Sequence, residues 1–207
     1  MVESSKFDNS DEYMKLTQRF KTIERNVIGD LWQENTILDN MRFLADEVGS
    51  RFAGTRSETR AQEYIFDHFH NYGYTNVMTH EFTYFGWRRG TVALEMLTPK
   101  SRSLSAIALA LSPGGEIEGD VVDMGTGSPE EFHENQSLDL QDRIVLCSSA
   151  TSPSGERVHR RTKYAYAVDR GAKGFIFMNH NPGQLPPTGS LRPAHTMGGE
   201  IPGIGVS

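Results

Sequence analysis

The main change in the hydrophobic period of this chain falls near residue 75, and that change divides what it can fold into. Before it, apolar residues recur every three or four positions; after it, they alternate or gather in short runs. Side chains three or four apart share a helix face, whereas alternating ones share a face of a strand. The chain is therefore expected to have a helical front, residues 1–75, and a β-rich body, residues 76–207, in a mixed α/β (α+β) class.

In the front, Leu16, Phe20, Ile23, Val27 and Leu31 predict an amphipathic helix over 11–32. Ile37, Met41, Leu44 and Val48 predict a second from about Asn35, closed by Gly49, because glycine tolerates the left-handed backbone that ends helices. Thr55 and Glu58 have capping-box spacing, and Ala61, Ile65, Phe69 and Tyr72 then share a face before Gly73.

In the body, strands are expected at 77–84, 91–97, 105–111, 120–124 and 143–147, separated by Gly- and Pro-rich turns. A helix over 156–170 should place Ala165, Val168 and Ala172 on one side, with an apolar strand at 174–178 after it. Strand, helix, strand in that order implies a right-handed parallel crossover between 143 and 179. The final stretch, 201–207, reads as one more strand.

Composition narrows the function. The 207 residues are 37% hydrophobic and 23% charged with a net charge of -6, the balance of a folded chain that lacks the clustered cations nucleic acid requires. The densest basic run, Arg157 to Lys163, reads as a solvated helix face. No apolar stretch approaches the ~18 residues of a membrane span and none leads the chain, so neither membrane nor nucleic-acid partners are expected, and the expected location is cytoplasmic. The one cysteine, Cys147, sits in an apolar run and is expected to be an inert core residue.

The catalytic motifs that are half present each lack a needed member. Gly125-Thr126-Gly127 lacks the third glycine of a dinucleotide loop, since Glu130 stands there. His133-Glu134 and His80-Glu81 begin like a zinc helix, but Ser137 and Tyr84 occupy the second histidine's place. There is no G-x-S-x-G and no phosphate-loop GK[ST]. Glu130-Glu131 reads as a solvated pair in a turn after Pro129. The histidines are scattered over 68, 70, 80, 133, 159, 180 and 195, so no catalytic or metal-binding residue is assigned.

The order of elements says more. Leu44-Ala45-Asp46-Glu47-Val48-Gly49-Ser50-Arg51-Phe52-Ala53-Gly54-Thr55, the helix with Ala61, Tyr64 and Ile65, and Gly73-Tyr74 resemble the start of co-catalytic zinc aminopeptidases, relatives of glutamate carboxypeptidase and the transferrin receptor ectodomain. Gly119 to Gly125, Asp142 to Leu146, Lys163 to Ala167 and Gly171 to Phe177 resemble the protease-associated (PA) domain inserted in many of them, and Ile201 to Ser207 the strand that ends it. The resemblance covers 34–207 and leaves the first helix outside.

It implies a non-catalytic amino-terminal portion of a metallo-exopeptidase, covering the cleft and influencing substrate or partner binding. The two zinc ions and peptide substrate would belong to the full-length parent, because no residue here matches the family's H-x-D or paired-glutamate ligands. One residue is carried over: Arg160, which in glutamate carboxypeptidase-like members would reach toward the substrate carboxylate with a guanidinium fork. The alternative is a stand-alone PA-fold module for peptides or proteins, and a third reading is a degenerate scaffold relative. Ile37, Met41, Leu44, Ile65 and Phe69 are expected to be exposed, with a homodimer through the front helices as the consequence.

Overall fold

The computed structural model describes residues 10–33, 36–192 and 198–207. These divide into two compact units. One runs to Arg51 and resumes over Arg56–Thr75; the other comprises Phe52–Thr55 and Asn76–Ser207.

The first unit is helical. Helix α1 spans Ser10–Gln33. Helix α2, Ile37–Arg42, runs into a π-helical turn, Phe43–Val48, ended by Gly49 at φ 71. The expected start of that helix, Asn35, lies outside the described residues. Helix α3 spans Arg56–Asn71. Phe43 stacks on Tyr64 with ring centroids 4.0 Å apart, and Arg60 lies over the same Phe43 ring while donating to the Glu47 carbonyl at 2.7 Å. The Tyr64 hydroxyl donates to Asn40 Oδ1 at 2.7 Å, which ties α3 to α2. Only Val48 and Ala61 of the described residues are buried here. The expected exposure is present at Ile37, Met41, Ile65 and Phe69, between 43% and 61% accessible, but not at Leu44, which is half-buried.

The second unit holds the sheet. Strands β1, Leu94–Met96, and β2, Arg102–Leu104, form a separate antiparallel pair. Then follow β3, Ala106–Ala108; β4, Val121–Asp123; helix α4, Pro129–Glu134; β5, Ile144–Ser148; helix α5, Arg160–Asp169; β6, Gly174–Met178; and β7, Gly203–Val206. The main sheet has the order β3-β7-β6-β5-β4. Strands β4 to β7 are parallel and β3 closes the edge antiparallel to β7. The β5–α5–β6 crossover falls where strand, helix and strand were expected, with Val145 opposite Phe175. Parallel strands must bury at least one face, and here Val145, Cys147, Phe175 and Phe177 face a core closed by Phe132, Tyr164, Ala167 and Leu191.

Several expectations are corrected. Residues 77–84 form no strand, and Met78 and Phe82 are 68% and 77% exposed. Alternation suits an extended backbone, but a strand exists only where another edge accepts its hydrogen bonds, and none pairs with this segment. Strand β2 was not anticipated, because two of the three residues of Arg102–Leu104 are polar and all three are exposed. The turn expected after Pro129 is helix α4. Helix α5 begins at Arg160 rather than near 156, because the preceding residues fold into a loop in which Ser152 Oγ accepts from the Glu156 N–H at 3.0 Å. Its buried face is Lys163, Tyr164 and Ala167, so Lys163 is not part of a solvated run.

Candidate functional site

In an open parallel sheet, ligands bind beyond the carboxyl ends of the strands, where loops and helix N-termini converge. Here that edge receives Ser149 after β5, Asn179 and His180 after β6, the amino end of α5, and the 188–192 loop.

Ser149 closes the gap between β5 and β6. Its N–H donates to the Met178 carbonyl at 2.8 Å, and its Oγ accepts from the His180 N–H at 3.0 Å and lies 2.7 Å from His180 Nδ1. The pair is a clamp between strand ends.

Arg160, the residue singled out in the sequence, lies half-buried in the first turn of α5. Its Nε donates to the Ser190 carbonyl at 3.0 Å and its Nη1 to the Thr188 carbonyl at 3.1 Å, while the guanidinium sits 5.7 Å from the Phe177 ring centroid. Arg161 donates to Ser190 Oγ through Nε and Nη2, at 3.1 and 2.6 Å. The two arginines thus fasten the 188–190 loop to α5. Burial, with Arg161 adding to it, holds the Arg160 pKa below the ordinary arginine value. His159 caps α5 by accepting from the Arg161 N–H at 3.1 Å, and burial together with Arg160, Arg161 and Lys163 lowers its pKa. The first turn of α5 therefore carries positive charge with no acidic residue of its own.

Beneath the arginines lies Lys163, 1% exposed. Its ammonium donates to the Ser148 carbonyl at 2.7 Å and lies 5.5 Å from the Phe177 ring centroid. Burial depresses its pKa, opposed by Cys147 and Glu131. Cys147 is buried as expected, and burial pushes its thiol up to about 12. A thiol held neutral is inert as a nucleophile.

Three features escaped sequence reading. Ser128 and Glu131 form a capping box at α4, and the Glu131 carboxylate also accepts from the Thr126 N–H and hydroxyl, so Glu131 is not a solvated residue. The S-P-E-E spacing carried that signal. Tyr164 holds residues 200–201: its hydroxyl accepts from the Glu200 and Ile201 N–H groups at 2.7 and 2.9 Å and donates to the Ile201 carbonyl at 3.0 Å. Neither it nor the Ser149–His180 clamp had a local signal, because the partners are about thirty or more residues apart.

Of the histidines, His68 and His70 turn Nδ1 to the Tyr64 and Phe66 carbonyls, and His195 lies outside the described residues. Among the described residues no three His, Cys, Asp or Glu side chains converge, and no helix is long and apolar enough to cross a membrane.

The parallel sheet with its antiparallel edge and flanking helices is of PA type, and residues 117–207 match the family model of the PA domain. Solved structures extend the likeness beyond the residues of the family match. BSAP, a zinc aminopeptidase from Bacillus subtilis, is 20% identical with a TM-score of 0.58 over 81% of this chain and 37% of its own. An aminopeptidase from an Aneurinibacillus species is 24% identical with a TM-score of 0.51, over 81% and 36%. A peptidase M28 precursor from Shewanella amazonensis is 21% identical with a TM-score of 0.66, over 88% and 43%. At such identities what is shared is the fold, and the chain spans well under half the length of these structures. A search of curated proteins returned no match. Zinc suggested by these neighbours has no fitting donor set among the described residues here, because a co-catalytic pair needs several converging imidazoles and carboxylates.

Proposed function

We propose that this chain is the amino-terminal, PA-bearing portion of a zinc-dependent exopeptidase, in which it covers the substrate cleft and influences peptide binding while other residues hold the metal. The observation carrying this reading is the PA-domain match over 117–207 together with a fold likeness to zinc aminopeptidase and peptidase M28 structures that covers 81–88% of the chain. The Arg160 and Arg161 guanidiniums at the amino end of α5 suit the free carboxylate or acidic side chains of a peptide. On this reading Arg160 supplies positive charge and holds the 188–190 loop in shape against the substrate.

The test compares this chain with one extended through the following few hundred residues, measuring bound zinc after dialysis and leucyl-anilide hydrolysis. Turnover and about two zinc ions in the long chain alone are expected. Tightly bound zinc or turnover in the short chain overturns the reading. In the active long chain, Arg160→Ala is expected to raise KM about tenfold with kcat within about twofold, the mark of lost ground-state binding. An unchanged KM removes Arg160 from the substrate's reach.

The second reading, a stand-alone peptide- or protein-binding module, is favoured by one observation: every residue of the hydrophobic core cluster lies between Leu109 and Leu191, within the PA unit. An extended chain that has neither zinc nor turnover, while this one retains peptide affinity, would decide for it. A chain with neither would point to a scaffold relative.

A further inference from the structure

The apolar side of helix α1 is uncovered among the described residues. Tyr13, Leu16, Phe20, Ile23, Val27 and Leu31 form one stripe and are each 47–72% exposed. At 24 residues the helix is about 36 Å long. An isolated helix in water is marginal even with good formers, and this one carries Gly29 in its interior, at a cost of about 1 kcal/mol. Its persistence calls for a partner on the apolar stripe.

We propose that α1 pairs with α1 of a second copy as a parallel two-stranded coiled coil. The spacing of the stripe is 3, 4, 3, 4 from Tyr13 to Val27, the a/d repeat of a left-handed supercoil. Tyr13, Phe20 and Val27 take a positions and Leu16 and Ile23 take d. In that register Arg19 falls at g and Glu24 at the following e. Parallel strands bring each g beside the partner's e five residues on, so the dimer gains two symmetric Arg19–Glu24 pairs. Among the described residues neither side chain has an ion pair within its own chain. An antiparallel arrangement centred on Phe20 would instead face Arg19 with Arg19. Between Lys15 and Arg25 the outer positions, Lys15, Gln18, Lys21, Thr22 and Arg25, are polar, as a solvated back requires, while Met14, Ile28 and Trp32 leave apolar side chains on the back toward its two ends. The seam ends at Asp30, which takes the next d place, and the stripe shifts there to Leu31. The four Lys and Arg residues of the helix are balanced by Asp11, Glu12, Glu24 and Asp30, so it lacks the cationic face that docks on anionic lipid.

Sedimentation equilibrium of the full chain over a wide concentration range tests the pairing. The expected result is a mass rising from 23.2 kDa toward twice that value. Phe20→Glu should weaken association at least about tenfold, as should Arg19→Glu or Glu24→Arg alone, while the double exchange R19E/E24R restores it. An Ile23→Cys chain should form a disulfide dimer on mild oxidation, and a Thr22→Cys chain should not. Circular dichroism of each variant checks that the PA unit stays folded. A monomer at every concentration overturns the proposal. So does a dimer indifferent to Phe20→Glu, which would place the interface on α2 and α3. Failure of the double exchange to restore association overturns the parallel register, and binding of the wild-type monomer to anionic vesicles would assign the stripe to a membrane surface.

Discussion

Arg170, at the carboxyl end of α5, reaches across to the carboxyl end of α4 and donates to the carbonyls of Phe132, Asn135, Gln136 and Leu138. The Phe132 and Asn135 carbonyls are among those a short helix leaves unpaired, Gln136 and Leu138 lie in the turn that follows, and a delocalised cation there also opposes the negative end of the helix dipole. Arg170→Ala is expected to cost about 2–4 kcal/mol in urea denaturation, because several acceptors lose their donor together. A loss below about 0.5 kcal/mol would show that water replaces the guanidinium freely. Cys147 makes a second residue-scale prediction. Its folded pKa, about 12, lies above the ordinary thiol value of 9.0, so the native state holds its proton longer than the unfolded chain does. The contribution is present in full below pH 9 and is lost as pH rises from 9 toward 12. Stability measured against pH should fall more steeply over that window in the native chain than in Cys147→Ala.

Helix α4 is six residues long and depends on its start. Ser128 Oγ accepts from the Glu131 N–H at 3.2 Å and Glu131 returns the bond to the Ser128 N–H at 3.0 Å. Burial alone would raise the Glu131 pKa, but the bonds from Thr126 and Ser128 outweigh it and the result is lowered. A depressed carboxyl contributes stability above its unfolded value and loses it as pH falls through the folded one. Ser128→Ala should cost about 1–2 kcal/mol, and Glu131→Gln should flatten the acid limb of the stability profile below pH 4.5. An acid limb identical in Glu131→Gln and wild type would mean the cap contributes nothing through its charge. Gly127 sits under the same turn at φ 66, where an added Cβ would lie 2.5 Å from Cys147 Sγ. Alanine there strains the backbone and the β5 core contact at once.

At the scale of the whole chain, the two units differ in how much they bury. The PA unit closes its own core, so a fragment of residues 76–207 is expected to melt cooperatively within a few degrees of the same transition in the full chain. Loss of that transition would show that the helical unit is needed to complete the fold. The helical unit leaves the apolar faces of α1, α2 and α3 open. Exposed area of this kind drives association or binds apolar dyes. A monodisperse monomer at high concentration without dye fluorescence would count against both the coiled coil and the cleft-covering role.

What the sequence by itself determined were the elements whose stability is local or whose apolar runs are unbroken. The period of Leu16 to Leu31 and of Ala61 to Tyr72 settled two helices, and the compact runs at 144–148, 174–178 and 203–206 settled the inner strands, because full burial leaves few alternatives to a continuous apolar segment. The tertiary structure alone decided the rest. Whether 77–84 becomes a strand depends on an available edge, which no residue within the segment encodes. That Lys163 enters the core while Arg161 stays exposed depends on the Ser148 carbonyl and the Phe177 ring, which the crossover brings beneath α5. Arg160 entered as a candidate only through the family resemblance, and its bonds to Thr188 and Ser190 join positions 28 and 30 residues apart. Hydrogen bonds over such separations are fixed by how the chain packs, and the chemistry of each residue type only limits which of them can form.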